Sequence, residues 1–136
     1  MPGHSMTVKM ICMFVLFGLL SSFAVIRAGE RFSRNMQAIQ GSWARTDGHY
    51  LIDINRGQDD SLQAKYFNPQ PIHVASTRTK EQGGVLAVII VLQDLNYQGS
   101  TYTLVYNMEQ DILQGTYLHG GSGQLYTVEF TRQTGQ

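Results

Sequence analysis

The chain has 136 residues, a formal net charge of zero and a single cysteine. This length allows one domain, and ten basic residues balanced by ten acidic ones, with no basic run, argue against a nucleic-acid partner. Because Cys12 lies in an N-terminal apolar segment, the rest of the chain contains no disulfide and must be stabilised by its core alone.

The first residues have the pattern of a secretory signal. Lys9 precedes an apolar run over residues 10–26, and small residues near its end offer cleavage sites after Ala24 or Ala28. We predict a signal peptide over residues 1–24, a periplasmic or secreted protein, and no membrane attachment after cleavage. An uncleaved membrane anchor is the alternative, because the run is close to the minimum length that spans a bilayer. Mass spectrometry should find an N-terminus directly after one of the two alanines, and an intact N-terminus in the membrane fraction would exclude cleavage.

Two patterns follow the signal. Residues 25–40 are predicted to form a linker with a short helix, because Phe32, Met36 and Ile39 follow helical spacing. From residue 41 onward, short segments of alternating apolar and polar residues are separated by turn residues, which is typical of an all-β fold. The eight predicted strands begin near Trp43, His49, Leu62, Ile72, Val85, Tyr102, Ile112 and Gln124.

The connections between these strands determine the predicted architecture. They are too short for parallel crossovers, so consecutive strands should pair in antiparallel fashion. Such a sheet removes its edges by closing, which would pair strand one with strand eight. We therefore predict an eight-stranded antiparallel up-and-down barrel over residues 41–134. A barrel of this size is either filled by its own side chains or holds one small ligand.

The predicted strand from Val85 to Leu92 is apolar on both faces. Alternation directs one row of its side chains inward and leaves an apolar row on the outer surface, where it forgoes burial. Either the N-terminal helix or a second copy of the chain would cover that row, so a homodimer through the Val85–Val91 outer face is a possible assembly. The inward row is Leu86, Val88, Ile90 and Leu92, and the outward row is Val85, Ala87, Ile89 and Val91.

Gly41-Ser42-Trp43 on the first strand and Thr131-Arg132 on the last resemble motifs of the calycin superfamily of lipocalins, fatty-acid-binding proteins and avidins. The resemblance implies a barrel closed at one end by Trp43, with Arg132 across its indole ring in a favourable cation–π contact. The order of the motifs is most similar to the avidin branch. Biotin binding is not implied, because avidins use several tryptophans in the pocket and this chain has one.

Two further stretches, from Tyr66 to Ile72 and from Asp94 to Tyr102, are similar to motifs of small uncharacterised exported bacterial domains. That similarity implies no activity. The chain also lacks the nucleophile elbow, the phosphate-binding glycine loop and the dinucleotide fingerprint. Histidines on separate segments, without paired spacing, do not indicate a metal site. We therefore predict that the protein is not an enzyme and has no catalytic residues, no metal and no cofactor. The histidines that follow the predicted signal peptide are His49, His73 and His119.

The tyrosines are the most suggestive residues. A phenol inside a barrel needs a hydrogen-bond partner or water, so inward tyrosines would form either a filled core with polar tips or a cavity with an aromatic wall. Those on predicted inward faces are Tyr50, Tyr66, Tyr102, Tyr106, Tyr117 and Tyr126.

These observations predict an exported, non-catalytic barrel that binds a small ligand or an exported protein partner, with inhibition of an exported hydrolase as one case. The alternative is a filled structural barrel that self-associates and has no ligand. Trp43 and Arg132 are predicted to close the barrel. The candidate ligand-binding residues are Tyr66, Asn68, Asn96, Tyr97, Tyr102, Tyr106 and Tyr117.

Overall fold

The computed structural model describes residues 23–135, so most of the predicted signal peptide lies outside the described residues. Residues 23–38 form a helix, α1, and nine β-strands follow it. No helix in the described part is long and apolar enough to cross a membrane. The strands are β1 (Gly41–Arg45), β2 (Leu51–Arg56), β3 (Leu62–Asn68), β4 (Gln70–Ile72), β5 (Val74–Gln82), β6 (Val85–Leu92), β7 (Thr101–Asn107), β8 (Ile112–Leu118) and β9 (Leu125–Arg132).

The strands form one antiparallel sheet in the order β4-β3-β2-β1-β9-β8-β7-β6-β5. The predicted pairing of the first strand with the last is confirmed, because Trp43 of β1 lies opposite Arg132 of β9. Consecutive strands pair along the chain except β4 and β5, which are the two edges of the sheet. The sheet curls into a nearly closed antiparallel barrel.

The barrel has nine strands, and the prediction of eight is wrong at one place. The single strand predicted from Ile72 onward is two strands, because the chain changes its partner at His73: β4 pairs with β3, whereas β5 pairs with β6. Pro71 can lie in β4 because that strand is an edge, where a missing N–H breaks no ladder. Where β3 faces β5, the Ala64 N–H donates to the Thr77 hydroxyl at 3.1 Å, so a side chain bridges the seam.

Large side chains occupy the barrel interior. The inward row predicted for β6 is fully buried, as expected from its alternation. Trp43, Tyr66, Tyr102 and Phe130 are the largest fully buried residues and belong to the same core cluster. The protein therefore has a packed core rather than a wide lumen.

Helix α1 closes one end of the barrel. Its residue Met36 and the following Ile39 are buried in the core, and Phe32 packs against them. The Asn35 amide donates to the Gly84 carbonyl at 3.0 Å in the β5–β6 turn. The Trp43 indole N–H donates to the Ile39 carbonyl at 2.9 Å. The helix thus covers the barrel end rather than the outer face of β6.

Arg132 connects the elements that meet at this closed end. Its guanidinium lies 4.3 Å from the centre of the Trp43 ring. The same group donates to the carbonyls of Ala38 and Gln40 at 2.6 and 2.7 Å, and to both carboxylate oxygens of Asp111 in the β7–β8 turn. The arginine therefore joins α1, β1, β9 and the β7–β8 turn through one planar group.

The Gly-Ser-Trp segment at the start of β1 has a physical role at each position. Gly41 adopts a φ of 132°, and a Cβ there would lie 2.8 Å from the Arg132 guanidinium, so glycine leaves room for the arginine. The Ser42 hydroxyl donates to an Asp53 carboxylate oxygen at 2.5 Å across β1 and β2. These contacts place Trp43 on the inward face, where its exposed fraction is zero.

Candidate functional site

A cleft of about 480 Å³ lies at the end of the barrel opposite α1. The loops that follow β1, β3, β6 and β8 meet there, because consecutive antiparallel strands return their connections alternately to the two ends. The residues that line the cleft are Arg45, Tyr50, Tyr66, Asn68, Asn96, Tyr97, Tyr117, His119 and Tyr126.

Two pairs of aromatic rings form opposite parts of the wall. The rings of Tyr50 and Tyr66 are parallel to within 7°, with centres 6.4 Å apart. Those of Tyr117 and Tyr126 are inclined by 28°, with centres 6.2 Å apart. Tyr117 and Tyr126 lie directly opposite each other on β8 and β9, whereas Tyr50 immediately precedes β2, the neighbour of the strand β3 that contains Tyr66. Tyr97, from the β6–β7 loop, meets Tyr66 edge-on at 6.1 Å.

Arg45 lies between the two walls. Its side chain is only 9% exposed, and its guanidinium is 4.7 Å from the centre of the Tyr50 ring and 5.8 Å from that of Tyr117. Two of its nitrogens donate, to the Tyr102 hydroxyl at 3.2 Å and to Asp47 at 2.9 Å. The Nε atom approaches the second Asp47 oxygen at 2.5 Å, but the buried Nε–H is not aligned for a hydrogen bond. The contacts fix the orientation of the guanidinium.

The charges of Arg45 and Asp47 compensate each other. The hydrogen bond from Arg45 lowers the pKa of the Asp47 carboxyl, so this group is ionised at neutral pH. Burial acts to lower the pKa of Arg45, but its hydrogen bonds with Asp47 and Tyr102 outweigh that effect and the pKa is raised. The pair is therefore doubly ionised and carries no net charge.

Buried phenols lie in the cleft wall and directly beneath it. The hydroxyls of Tyr66 and Tyr102 are 3.2 Å apart and hydrogen-bonded. Burial raises the pKa of both, and that of Tyr117 in the wall, because a phenolate would lose its hydration. These three side chains are therefore neutral at physiological pH.

We expect Tyr66, Tyr102 and Tyr117 to resist ionisation while the protein is folded. Because their pKa values are raised in the folded state, stability is fully present below pH 10, the unfolded value, and falls as the pH rises above it. An absorbance titration of phenolate should show these tyrosines ionising only together with alkaline unfolding, whereas the chain in denaturant should show one transition near pH 10. Ionisation of every tyrosine near pH 10 with the fold intact would contradict this prediction.

Amide and imidazole groups surround the mouth of the cleft. The Asn68 amide donates to the Tyr97 hydroxyl at 2.5 Å. Asn96 adopts a φ of 73°, a left-handed conformation that asparagine tolerates in turns. The Ser122 N–H donates to Nδ1 of His119 at 3.0 Å, so the neutral imidazole carries its proton on Nε2. The rim thus contains hydrogen-bond donors and acceptors at the end of β3 and on the β6–β7 and β8–β9 loops.

The cleft contains five of the seven predicted ligand-binding residues, namely Tyr66, Asn68, Asn96, Tyr97 and Tyr117. The remaining two lie elsewhere, although they share the inward face of β7 with each other. Tyr102 is fully buried beneath the cleft. Tyr106 lies at the closed end, where its hydroxyl donates to Asp111 at 3.0 Å and its ring meets Trp43 edge-on. Four residues of strand separate two positions by about 13 Å, enough to place them at different ends.

The cleft also contains four residues that sequence reasoning did not assign to it: Arg45, Tyr50, His119 and Tyr126. The sequence could have placed Arg45 on the inward face, because it lies two residues after Trp43 and therefore on the same face of β1. Tyr50 and Tyr126 were predicted to face inward, but nothing indicated that they lie at the cleft end. His119 follows β8 directly and had no signal of its own.

The described residues contain no cluster of three or more histidine, cysteine or acidic side chains that could hold a metal ion. The chain matches no protein-family model, no curated protein and no solved structure. The resemblance to calycins therefore stays a prediction.

Proposed function

We propose that this protein is an exported, non-catalytic binding barrel whose small ligand occupies the cleft at the open end. One observation supports the proposal above all others: a concave space of about 480 Å³, lined by convergent polar and aromatic groups, lies above a filled core. That volume is within the range of pockets that hold small molecules. An aromatic wall with a few oriented polar groups is also typical of such pockets.

The cleft is organised before any ligand arrives. Arg45 is held by Asp47, by the Tyr102 hydroxyl and by two flanking rings. The Ser100 hydroxyl accepts from the Gly120 N–H at 3.0 Å, which connects the end of the β6–β7 loop to the start of the β8–β9 loop beside it. A site whose side chains are already ordered loses less conformational entropy when it binds.

Apart from the imidazole of His119, the groups that line the cleft or lie beneath it favour binding over catalysis. General acid–base catalysis uses groups whose pKa values are shifted toward neutral pH. The pKa values of the phenols of Tyr66, Tyr102 and Tyr117 are raised, further from neutral pH, and the raised pKa of Arg45 keeps that side chain charged. No carboxylate is among the described side chains that line the cleft.

A library screen with protein-detected NMR and ¹³C-labelled tyrosine tests the proposal. Bound compounds should perturb the cleft tyrosines. Tyr126→Ala and Asn96→Gly should each weaken binding about tenfold or more, since each removes a contact group at the mouth. Both variants should fold, because Tyr126 is 42% exposed and Asn96 has a φ that glycine adopts freely. Leu95→Ala is the matched control, because Leu95 is 82% exposed in the same loop and does not line the cleft.

Two results would contradict the proposal. The first is that no compound of a chemically diverse library perturbs the cleft at millimolar concentration. The second is that bound compounds have the same affinity for the wild-type protein, Tyr126→Ala and Asn96→Gly.

A second candidate function, self-association of a filled barrel, is favoured by the outer surface of β6 to β9. Val91, Thr101, Leu118 and Leu125 lie directly opposite one another across these four strands, and Leu125 is 65% exposed. We call this row, together with the neighbouring Ile89, the outer patch. The outer patch is uncharged. Its apolar side chains would gain free energy if a partner removed them from water.

Sedimentation of the mature protein tests self-association. If the outer patch is a dimer interface, the wild-type protein should sediment as a dimer at tens of micromolar. Ile89→Lys should then be a monomer, since it places an unpaired charge in the interface. Lys80→Ala, on the neighbouring strand β5, is the control. A monomeric wild-type protein at that concentration would exclude this function.

A further inference from the structure

The composition of the cleft wall restricts the chemistry of its ligand, if the proposed function holds. Every side chain that lines the cleft carries a polar group, and none is aliphatic. A lipid or another apolar ligand would bury these groups without hydrogen-bond partners, which is costly. The ligand must therefore carry polar groups of its own, distributed over its surface.

The charges around the cleft argue against an anion. Arg45 is already paired with Asp47, so its charge is compensated. The loops of the open end contain a second carboxylate, Asp94, and no lysine or arginine. Asp94 is itself engaged, because it accepts the His73 N–H at 2.8 Å. An incoming carboxylate or phosphate would meet no uncompensated cation and would lie near two like charges.

The aromatic rings at the mouth favour a ligand that contains a saturated ring. Tyr126 is 42% exposed, while Tyr50 and Tyr97 are half-buried with their rings at the cleft. The face of an aromatic ring is electronegative and attracts weakly positive C–H groups, such as those on the flat side of a pyranose. The rings of Tyr126 and Tyr97, which keep exposed surface at the mouth, therefore provide packing surfaces for a sugar ring.

The hydrogen-bonding groups at the rim suit hydroxyls in particular. The His119 Nε2–H is a donor, and Asn68 has a carbonyl oxygen left after its amide bonds Tyr97. Asn96 offers both a donor and an acceptor. Each hydroxyl of a sugar can donate and accept, so it can satisfy any of these groups.

We infer that the cleft binds a neutral carbohydrate, a monosaccharide or a short oligosaccharide without acidic groups. The volume of about 480 Å³ has room for a ligand of that size. The selectivity against acidic sugars is set by the Arg45–Asp47 pair, in which the carboxylate compensates the cation that would otherwise attract an anion.

Titration with matched sugars tests the inference. The probes are the methyl glycosides of glucose, galactose, mannose and N-acetylglucosamine, their disaccharides, and the uronic acids of glucose and galactose. We expect at least one neutral saccharide to perturb the ring signals of Tyr97 and Tyr126 and to bind about tenfold or more tightly than its uronic acid. Tyr126→Ala should reduce that affinity at least about tenfold, while Leu95→Ala should leave it unchanged.

A single substitution tests the charge argument directly. Asp47→Asn retains a side chain of the same shape that can accept from Arg45, but it removes the compensating negative charge. We expect the ratio of uronic-acid affinity to neutral-sugar affinity to rise about tenfold or more in this variant. Gln124→Glu, in the β8–β9 loop, is a control that adds a negative charge and should not raise the ratio.

The outcomes of these experiments distinguish a failure of the carbohydrate inference from a failure of the proposed binding function. If uronic acids, apolar compounds or planar heteroaromatic compounds bind the cleft while no neutral saccharide does, the carbohydrate inference is wrong and the binding function stands. If no compound of any class perturbs the cleft tyrosines, both are wrong. An unchanged affinity ratio in Asp47→Asn would overturn the role assigned to the Arg45–Asp47 pair.

Discussion

Trp43→Ala is expected to lower the free energy of unfolding by about 3–5 kcal/mol. The indole is fully buried, and its ring centre lies 5.9 Å from that of Tyr106 in an edge-to-face arrangement. Its N–H donates to the Ile39 carbonyl. Its removal leaves a cavity beneath α1 and an unpaired carbonyl. Urea unfolding at equilibrium measures the change, and Trp43→Phe should retain part of the lost stability if the alanine variant fails to fold. Tyr126→Ala, at the exposed rim, should change stability much less.

A change below about 1 kcal/mol in Trp43→Ala would contradict the role assigned to this residue, since truncation of a buried aromatic side chain rarely costs so little. Fluorescence of the folded wild-type protein gives an independent check, because this is the one tryptophan of the chain. Emission typical of an indole in water would contradict closure of the barrel at this end.

Arg132→Ala is expected to lower the free energy of unfolding by about 2–4 kcal/mol. The cation–π contact with Trp43, which the sequence also predicts, would alone account for about 0.5–2 kcal/mol. The structure adds hydrogen bonds to Asp111, Ala38 and Gln40, whose acceptors would lose a partner at the partly buried closed end. Arg132→Lys should lose most of the same stability, because an ammonium group cannot reproduce the planar fork.

The loss of stability at low pH distinguishes the ion pair between Arg132 and Asp111 from a contribution of Arg132 through packing alone. The hydrogen bond from Arg132 lowers the pKa of Asp111, so the stabilisation is present above 3.8, the unfolded value, and is lost as the pH falls through the folded value. The wild-type protein should therefore lose more stability than Arg132→Ala below about pH 4. Parallel acid profiles of the two proteins, or full stability in Arg132→Lys, would contradict the assigned contacts.

Local patterns in the sequence were sufficient to predict an antiparallel barrel and the pairing of its first strand with its last. Alternation in β6 identified its inward row, and the positions of Trp43 and Arg132 on the first and last strands anticipated their contact. The nine-strand count was not predictable in this way. The change of partner at His73 depends on how β3 and β6 are spaced around the barrel, which no short-range pattern records.

The cleft was only partly predictable, for two physical reasons. Parity along a strand tells which face a side chain is on, but not which end of the barrel it reaches, so Tyr106 was grouped with Tyr117 although the two lie at opposite ends. Charge was also a misleading guide. Arg45 alternates with Trp43 on the inward face of β1, yet an arginine in a strand usually faces water. It can face inward here because Asp47 and the flanking rings stabilise it.

The central claim is that the cleft above the packed core is the binding site. A crystal structure of the protein with the neutral saccharide that binds most tightly tests it most directly. We predict a sugar ring packed against the cleft tyrosines, with hydroxyl groups bonded to Asn96 and to Nε2 of His119. A saccharide bound only at the outer patch or at the α1 end of the barrel, with the cleft holding solvent alone, would contradict the claim.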